Sequence, residues 1–158
     1  MIINNLFIIG AKYLYLFIVA IFIFYFSKQT PRIKKEIAIF STFVLSVSYL
    51  VAKLTALFFY NPRPFVVNKF IPLIYHIPDN GFPSDHTLLS ASLAFIVFSF
   101  NRKLGTFLLI LALIVGISRV FVGVHHFIDI LGSLIISGLV VFFASHFFVF
   151  QKKERKTS

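Results

Sequence analysis

Long runs of apolar side chains leave this sequence few folds to choose from. A helix needs about 20 mainly apolar residues to cross the roughly 30 Å of bilayer hydrocarbon, and it satisfies its own backbone groups there. Runs of this kind cover about residues 6–26, 37–60 and 127–150, with a shorter one at 106–121. Another, His86–Phe100, has about 15 residues and needs its flanking residues to span. Only 13% of the residues are charged, about half the share of an ordinary soluble domain. The expected architecture is all-α: a polytopic membrane helix bundle of about five antiparallel transmembrane helices. Residues 1–150 form a single membrane-embedded domain, and residues 151–158 form a basic cytoplasmic tail. Residues 2–5 read as too short to be an element, and Pro31 reads as a break after the first span.

The N-terminus lacks the charged start and the small-residue cleavage site of a secretory leader. The chain has no cysteine, which excludes disulfides and thiolate metal sites. Its net charge of +10 invites a nucleic-acid reading, but the cations flank apolar runs, as in the cytoplasmic loops of membrane proteins. No nucleic-acid partner is therefore expected; the partners are membrane lipids. Loop 27–36, an expected tight turn at 101–103 and the tail hold ten of the fifteen Lys and Arg. With five spans these segments share one side, the cytoplasmic one. The outer side then holds the polar 61–85 segment, with five of the six prolines, and the 122–126 connection.

The remaining ionisable residues gather at the outer ends of the spans. Ser118–Asp129 reads S-R-V-F-V-G-V-H-H-F-I-D. His125 and Asp129 are four apart, a spacing that stacks two side chains on one helix face. The carboxylate can then hold one ring nitrogen and leave the other free for chemistry. Arg119 adds a planar cation suited to phosphate or carboxylate. Charges this close to apolar span are functional candidates, or else a structural Arg119–Asp129 pair tying two helices. Upstream, Arg63 lies between two prolines, which suits an aimed guanidinium or a headgroup contact. Ser84 or Asp85 can cap the third span, whose N-terminus is a ready anion site, with His86 in its first turn. The same stretch also reads as an ordinary cap with an interfacial histidine. His126 reads as structural or as a substrate contact.

Arg63-Pro64, Pro83-Ser84-Asp85-His86 and Ser118-Arg119…His125…Asp129 together resemble the three-part signature of the type 2 phosphatidic acid phosphatase superfamily. The F-P-S-D-H form, with P-R-P-F before it and V-G-x-H-H after it, is similar to the bacitracin-resistance branch, the undecaprenyl pyrophosphate phosphatases. The resemblance covers about residues 37–148. It implies an antiparallel helical bundle in the cell membrane, with an extracytoplasmic site, and a polyprenyl diphosphate lipid as substrate. It implies His125 as nucleophile through a phosphohistidine, Asp129 as its orienting carboxylate, and His86 as acid and then base. Arg63, Arg119, Ser84 and backbone N–H groups around Asp85 and His86 then bind phosphate. The arginines take the place of a metal, and beside them a zinc ion at the histidines would be repelled, so no cofactor is expected.

One position departs from the pattern. The family's lysine falls seven residues before the arginine, where this chain has Ala56. Lys53, ten residues before Arg63, and Lys12 in the first span are the nearby substitutes by snorkelling, or they merely tolerate their depth. Other readings stay open: a phosphatase for phosphatidate, phosphatidylglycerol phosphate or lipid A, a membrane transporter or lipid translocator, or a basic anchor.

Overall fold

The computed structural model describes residues 2–148, and within them the chain is entirely helical between its connections. Six helices run in order: α1 Ile2–Ser27, α2 Pro31–Phe58, α3 Pro64–Val67, α4 Asp85–Phe100, α5 Arg102–Phe121 and α6 Phe127–Phe147. Four of them (α1, α2, α5 and α6) are long and apolar enough to cross a membrane. The fifth apolar helix, α4, has 16 residues. The expected bundle of about five spanning helices is thus four long ones and one short one. The basic tail, 151–158, lies outside the described residues.

Several helix ends differ from the sequence reading, each for a local reason. Residues 2–5 are not a separate stub but the first turn of α1. Pro31 does not break a helix; it begins one. It occupies the first helical position of α2, where its missing N–H costs nothing, and Thr30 Oγ1 caps Ile33 N at 3.4 Å. Arg102 and Lys103 lie not in a turn but in the first turn of α5. Asn101 alone separates α4 from α5: its backbone closes α4 on Val97 O, and its side chain accepts from Leu104 N at 3.1 Å. The one-turn helix α3 was not foreseen.

The short helix is the centre of the bundle. α4 packs against α5, α6, α1 and α2. Ala91, Leu93, Ala94 and Val97 of α4 meet Leu108, Ala112 and Val115 of α5 and Ile18 of α1 in the largest buried cluster. Small hydroxyls bind α6 to α4. Ser92 Oγ donates to Ser137 Oγ at 3.1 Å, and Ser133 Oγ donates to Ser84 O at 2.9 Å. Meanwhile α1, α2, α5 and α6 turn Leu, Ile and Phe side chains outward all along their length, as lipid-facing helices do.

Candidate active site

Four helix ends meet at the end of the bundle away from Asn101: the C-termini of α2 and α5 and the N-termini of α4 and α6. The 59–84 connection folds over them and is pinned at both ends. Asn80 donates to Ala56 O and Phe59 O, both at 3.1 Å, closing the C-terminus of α2. Its Oδ1 accepts from Asn61 N and Phe82 N, both at 3.0 Å. Further along, Leu73 N donates to Val122 O at 3.0 Å. Gly123, at φ +84, reverses the chain between α5 and the histidine pair, a conformation suited to glycine.

The His125–Asp129 pair forms, though not by stacking along a helix. α6 begins at Phe127, so His125 lies outside it. Asp129 is the third residue of α6, and its carboxylate reaches back to the chain before the helix. Oδ2 accepts from His126 N at 2.8 Å and stands 3.3 Å from His125 Nδ1. Oδ1 accepts from Asn61 Nδ2 at 2.7 Å. A Cβ at position 81 would stand 3.0 Å from Oδ2 and 3.2 Å from Asn61 O, so Gly81 lets the connection close over the carboxylate.

These contacts set the ring. A carboxylate can only accept, so Nδ1 of His125 carries the hydrogen and Nε2 carries the lone pair. Arg63 Nη1 donates to that lone pair at 3.2 Å and to Val124 O at 2.8 Å. Burial pushes the His125 imidazole down to about 4; the charges of Arg119 and Arg63 add to this, and the Asp129 hydrogen bond opposes it. At neutral pH the ring is uncharged, with its unprotonated Nε2 facing an arginine.

Arg119 is 3% exposed, and among the described residues its Nε and Nη2 have no hydrogen-bond partner. Buried polar groups are nearly always paired, so two orphaned guanidinium donors stand out, and their planar geometry suits an anion. The structural Arg119–Asp129 pair does not form: Asp129 is held by Asn61, His125 and the His126 backbone. His86 lies within electrostatic reach of Arg119, His125, His76 and Arg63, and its ring meets Tyr15 of α1 edge-on at 4.6 Å.

Ser84 is fully buried as the N-cap residue of α4, but its hydroxyl does not cap the helix; it accepts from Thr87 Oγ1 at 3.1 Å. The Ser84 side chain therefore leaves the first N–H groups of α4 uncapped. Asp85 is 67% exposed, with Lys53 Nζ 3.9 Å from its Oδ1. Lys53 thus reaches the rim of the cluster. Lys12 is exposed on α1. His126 donates from Nε2 to Pro62 O at 3.1 Å, the structural option. Among the described residues no group of three or more His, Asp or Glu side chains converges as metal ligands.

Three residues were missed from sequence: Asn61, His76 and Asp79. Asp79 Oδ1 accepts from Arg63 Nε at 2.6 Å. The one available signal was position, since Asn61 stands two residues before Arg63, and His76 and Asp79 share the proline-rich connection.

Residues 36–153 match the family described as the PAP2 superfamily. The undecaprenyl-diphosphatase BcrC of Bacillus subtilis (strain 168) is 39% identical over 98 residues, 62% of this chain and 49% of that protein. The bacitracin transport permease protein BcrC of Bacillus licheniformis is 35% identical over 142 residues, 85% of this chain and 68% of that protein. The chain thus spans about half the length of the first relative and about two thirds of the second. The crystal structure of Aquifex aeolicus LpxE has a TM-score of 0.70 at 20% identity, covering 92% of this chain and 84% of that one; the likeness is one of fold.

Proposed function

The chain belongs to the PAP2 superfamily, and on that premise we propose that it is a membrane undecaprenyl-diphosphatase. It releases inorganic phosphate from undecaprenyl pyrophosphate, which supports lipid-carrier recycling and bacitracin resistance. The observation that carries the reading is His125 held between Asp129 and Arg63, with the orphaned donors of Arg119 close by. The substrate class follows the undecaprenyl-diphosphatase name of the relative with 39% identity.

The terminal phosphoryl group lies between Arg63 and Arg119, with further donors from the α4 N-terminus and the Ser84 hydroxyl. Fixed donors of this kind match the charge that develops on the equatorial oxygens. His125 Nε2 displaces Arg63 Nη1 and attacks phosphorus. The N–P bond forms as the bridging P–O bond breaks, and His86 gives its proton to the leaving lipid monophosphate. Asp129 stabilises the charged ring. Water then attacks the phosphohistidine, His86 takes its proton, and the N–P bond breaks to release phosphate. Asp85 contributes through its backbone, while its side chain holds Lys53 at the rim.

The site lies at the end of the bundle opposite the basic 27–36 connection and the Arg102–Lys103 turn of α5. By the positive-inside rule it faces outward from the cell membrane, with the C-terminus cytoplasmic. A second reading follows from the transport permease name of the other relative. Against a transport path, the buried ionisable side chains among the described residues, Arg63, Arg119, His125 and Asp129, all gather at one end of the bundle.

The deciding assay is phosphate release by purified protein from undecaprenyl pyrophosphate, phosphatidate and phosphatidylglycerol phosphate in parallel. Fastest release from the diphosphate is expected, unchanged by a chelator, blocked by vanadate, and abolished by His125→Ala in folded protein. No release from any lipid would leave the transport reading standing. Faster release from a glycerolipid would reassign the substrate.

A further inference from the structure

One histidine beside the site belongs to none of the three motifs. His76 lies in the connection over the helix ends, its side chain 23% exposed. Its ring centroid is 6.3 Å from that of His125, with the planes at 74°. Its Nδ1 stands 3.3 Å from Ile77 O, to which it can only donate, and 3.9 Å from Asp79 Oδ1. The same Asp79 oxygen accepts from Arg63 Nε. Asp79 therefore links His76 to the arginine that caps the nucleophile. With Nδ1 tied to a carbonyl, Nε2 is the nitrogen left for a ligand.

The charged and titratable groups around His76 are Arg63 after α2, His86 on α4, Arg119 on α5, His125 before α6 and Asp79 on its own connection, with Tyr15 of α1, the helix packed on neighbouring Ile74, against His86. Burial and then the Arg63 charge lower His76 below its usual value, so with no anion present it is neutral at pH 7. An oxyanion between the two arginines reverses that balance, because its negative charge favours the imidazolium. The ring then carries a hydrogen on both nitrogens, and Nε2 becomes a charge-assisted donor.

We propose that His76 is a third imidazole of the phosphate site, taking up a proton from solvent as the phosphoryl oxyanion binds and donating to it from Nε2. Asp79 is the positioning residue for both His76 and Arg63. The assignment rests on the phosphatase reading only for the anion being a phosphoryl group. It gives the site a binding step that strengthens as pH falls.

The test uses purified wild-type, His76→Gln and Asp79→Asn proteins in detergent, with inorganic phosphate as the probe. Affinities are measured by calorimetry at about pH 6 and about pH 8. Phosphate's own titration is common to all proteins and cancels in the ratio to wild type. His76→Gln should weaken binding about tenfold at the lower pH and about twofold or less at the higher, the size of one charge-assisted hydrogen bond. Asp79→Asn should move the pH step downward, because the Asp79 charge favours the protonated ring. A substitution-free check is the nitrogen spectrum of histidine-labelled wild type, in which His76 should become doubly protonated on adding phosphate. An equal ratio at both pH values, or a His76 signal that ignores phosphate, overturns the assignment. With the lipid, His76→Gln should raise KM for undecaprenyl pyrophosphate more than it lowers kcat, and the reverse split also counts against it. Phosphate binding with the expected pH step, but no phosphate release from lipid, would sink the phosphatase reading alone.

Discussion

Asn61 gives the sharpest test of how His125, the proposed nucleophile, is held. Among the described residues its side chain makes one hydrogen bond, from Nδ2 to Asp129 Oδ1 at 2.7 Å. Its backbone bonds, to Asn80 Oδ1 and from Gly81 N, survive a side-chain change. Asn61→Ala therefore removes a single donor from a fully buried carboxylate. Hydrogen bonds to charged groups contribute about 1.5–3 kcal/mol, and the oxygen left behind has no other donor among the described residues. If that loss falls on the geometry of the His125 ring, kcat/KM drops about 10- to 150-fold. The assay is initial phosphate release at low substrate, run as a cycle with Asp129→Asn. On the Asp129→Asn background, Asn61→Ala should cost little more, because the charge it served is gone. The coupling energy should exceed about 1 kcal/mol. A single variant within twofold of wild type, or strict additivity in the cycle, would refute the idea that Asn61 acts through Asp129.

The His125 imidazole, held down to about 4 mainly by burial, should give kcat/KM an acid limb near that value instead of near 6.5. A limb at 6–6.5 would mean the His125 ring is more solvated than this geometry shows. The same ring makes stability fall with acid. The unfolded chain binds its proton near 6.5 and the native ring only near 4, so stability is lost as pH drops between those values, which acid unfolding monitored by circular dichroism would reveal. Lys53→Ala should leave the fold intact, since the exposed pair with Asp85 contributes under about 1 kcal/mol. It should also cut kcat/KM by far less than Arg119→Ala, in parallel phosphate-release assays. Equal losses would show that Lys53 leaves Asp85 to join the arginines when lipid binds.

What the sequence showed about the site follows from where its residues sit. Arg63, His86, Arg119, His125 and Asp129 all lie within a few positions of an apolar run, and a charge there is conspicuous. Asn61, His76 and Asp79 lie in a polar connection, where such residues are ordinary, and only the fold of that connection brings them to Arg63 and Asp129. The spacing of His125 and Asp129 led to the right pair by the wrong route. An i, i+4 interval also fits a carboxylate in the first turn that caps the chain before its helix, and periodicity alone does not tell the two apart. The ends of α2 and α5 were missed because Pro31 and Asn101 start helices as readily as they interrupt a pattern.

The meeting of Ser84, His86 and Arg119 follows from counting once the turn is known. α4 and α5 are antiparallel neighbours joined through the single residue Asn101. Ser84 stands 17 positions before that residue, His86 stands 15 before it, and Arg119 stands 18 after it. At about 1.5 Å per residue all three lie about 22–27 Å from the turn, at nearly the same height on adjacent helices. A longer linker would have let the two helices slide. A one-residue linker, capped from both sides by Asn101, fixes their register and with it the distance between an arginine and a helix N-terminus. It also leaves a step at that end of the bundle. α4 stops about 6 Å short of the roughly 30 Å reach of α5. The 59–84 connection fills that step, bringing Arg63, His76 and Asp79 down onto the cluster. Inserting one alanine after Asn101 should therefore rotate Arg119 by about 100° away from α4 and abolish phosphate release, even in a bundle that still folds.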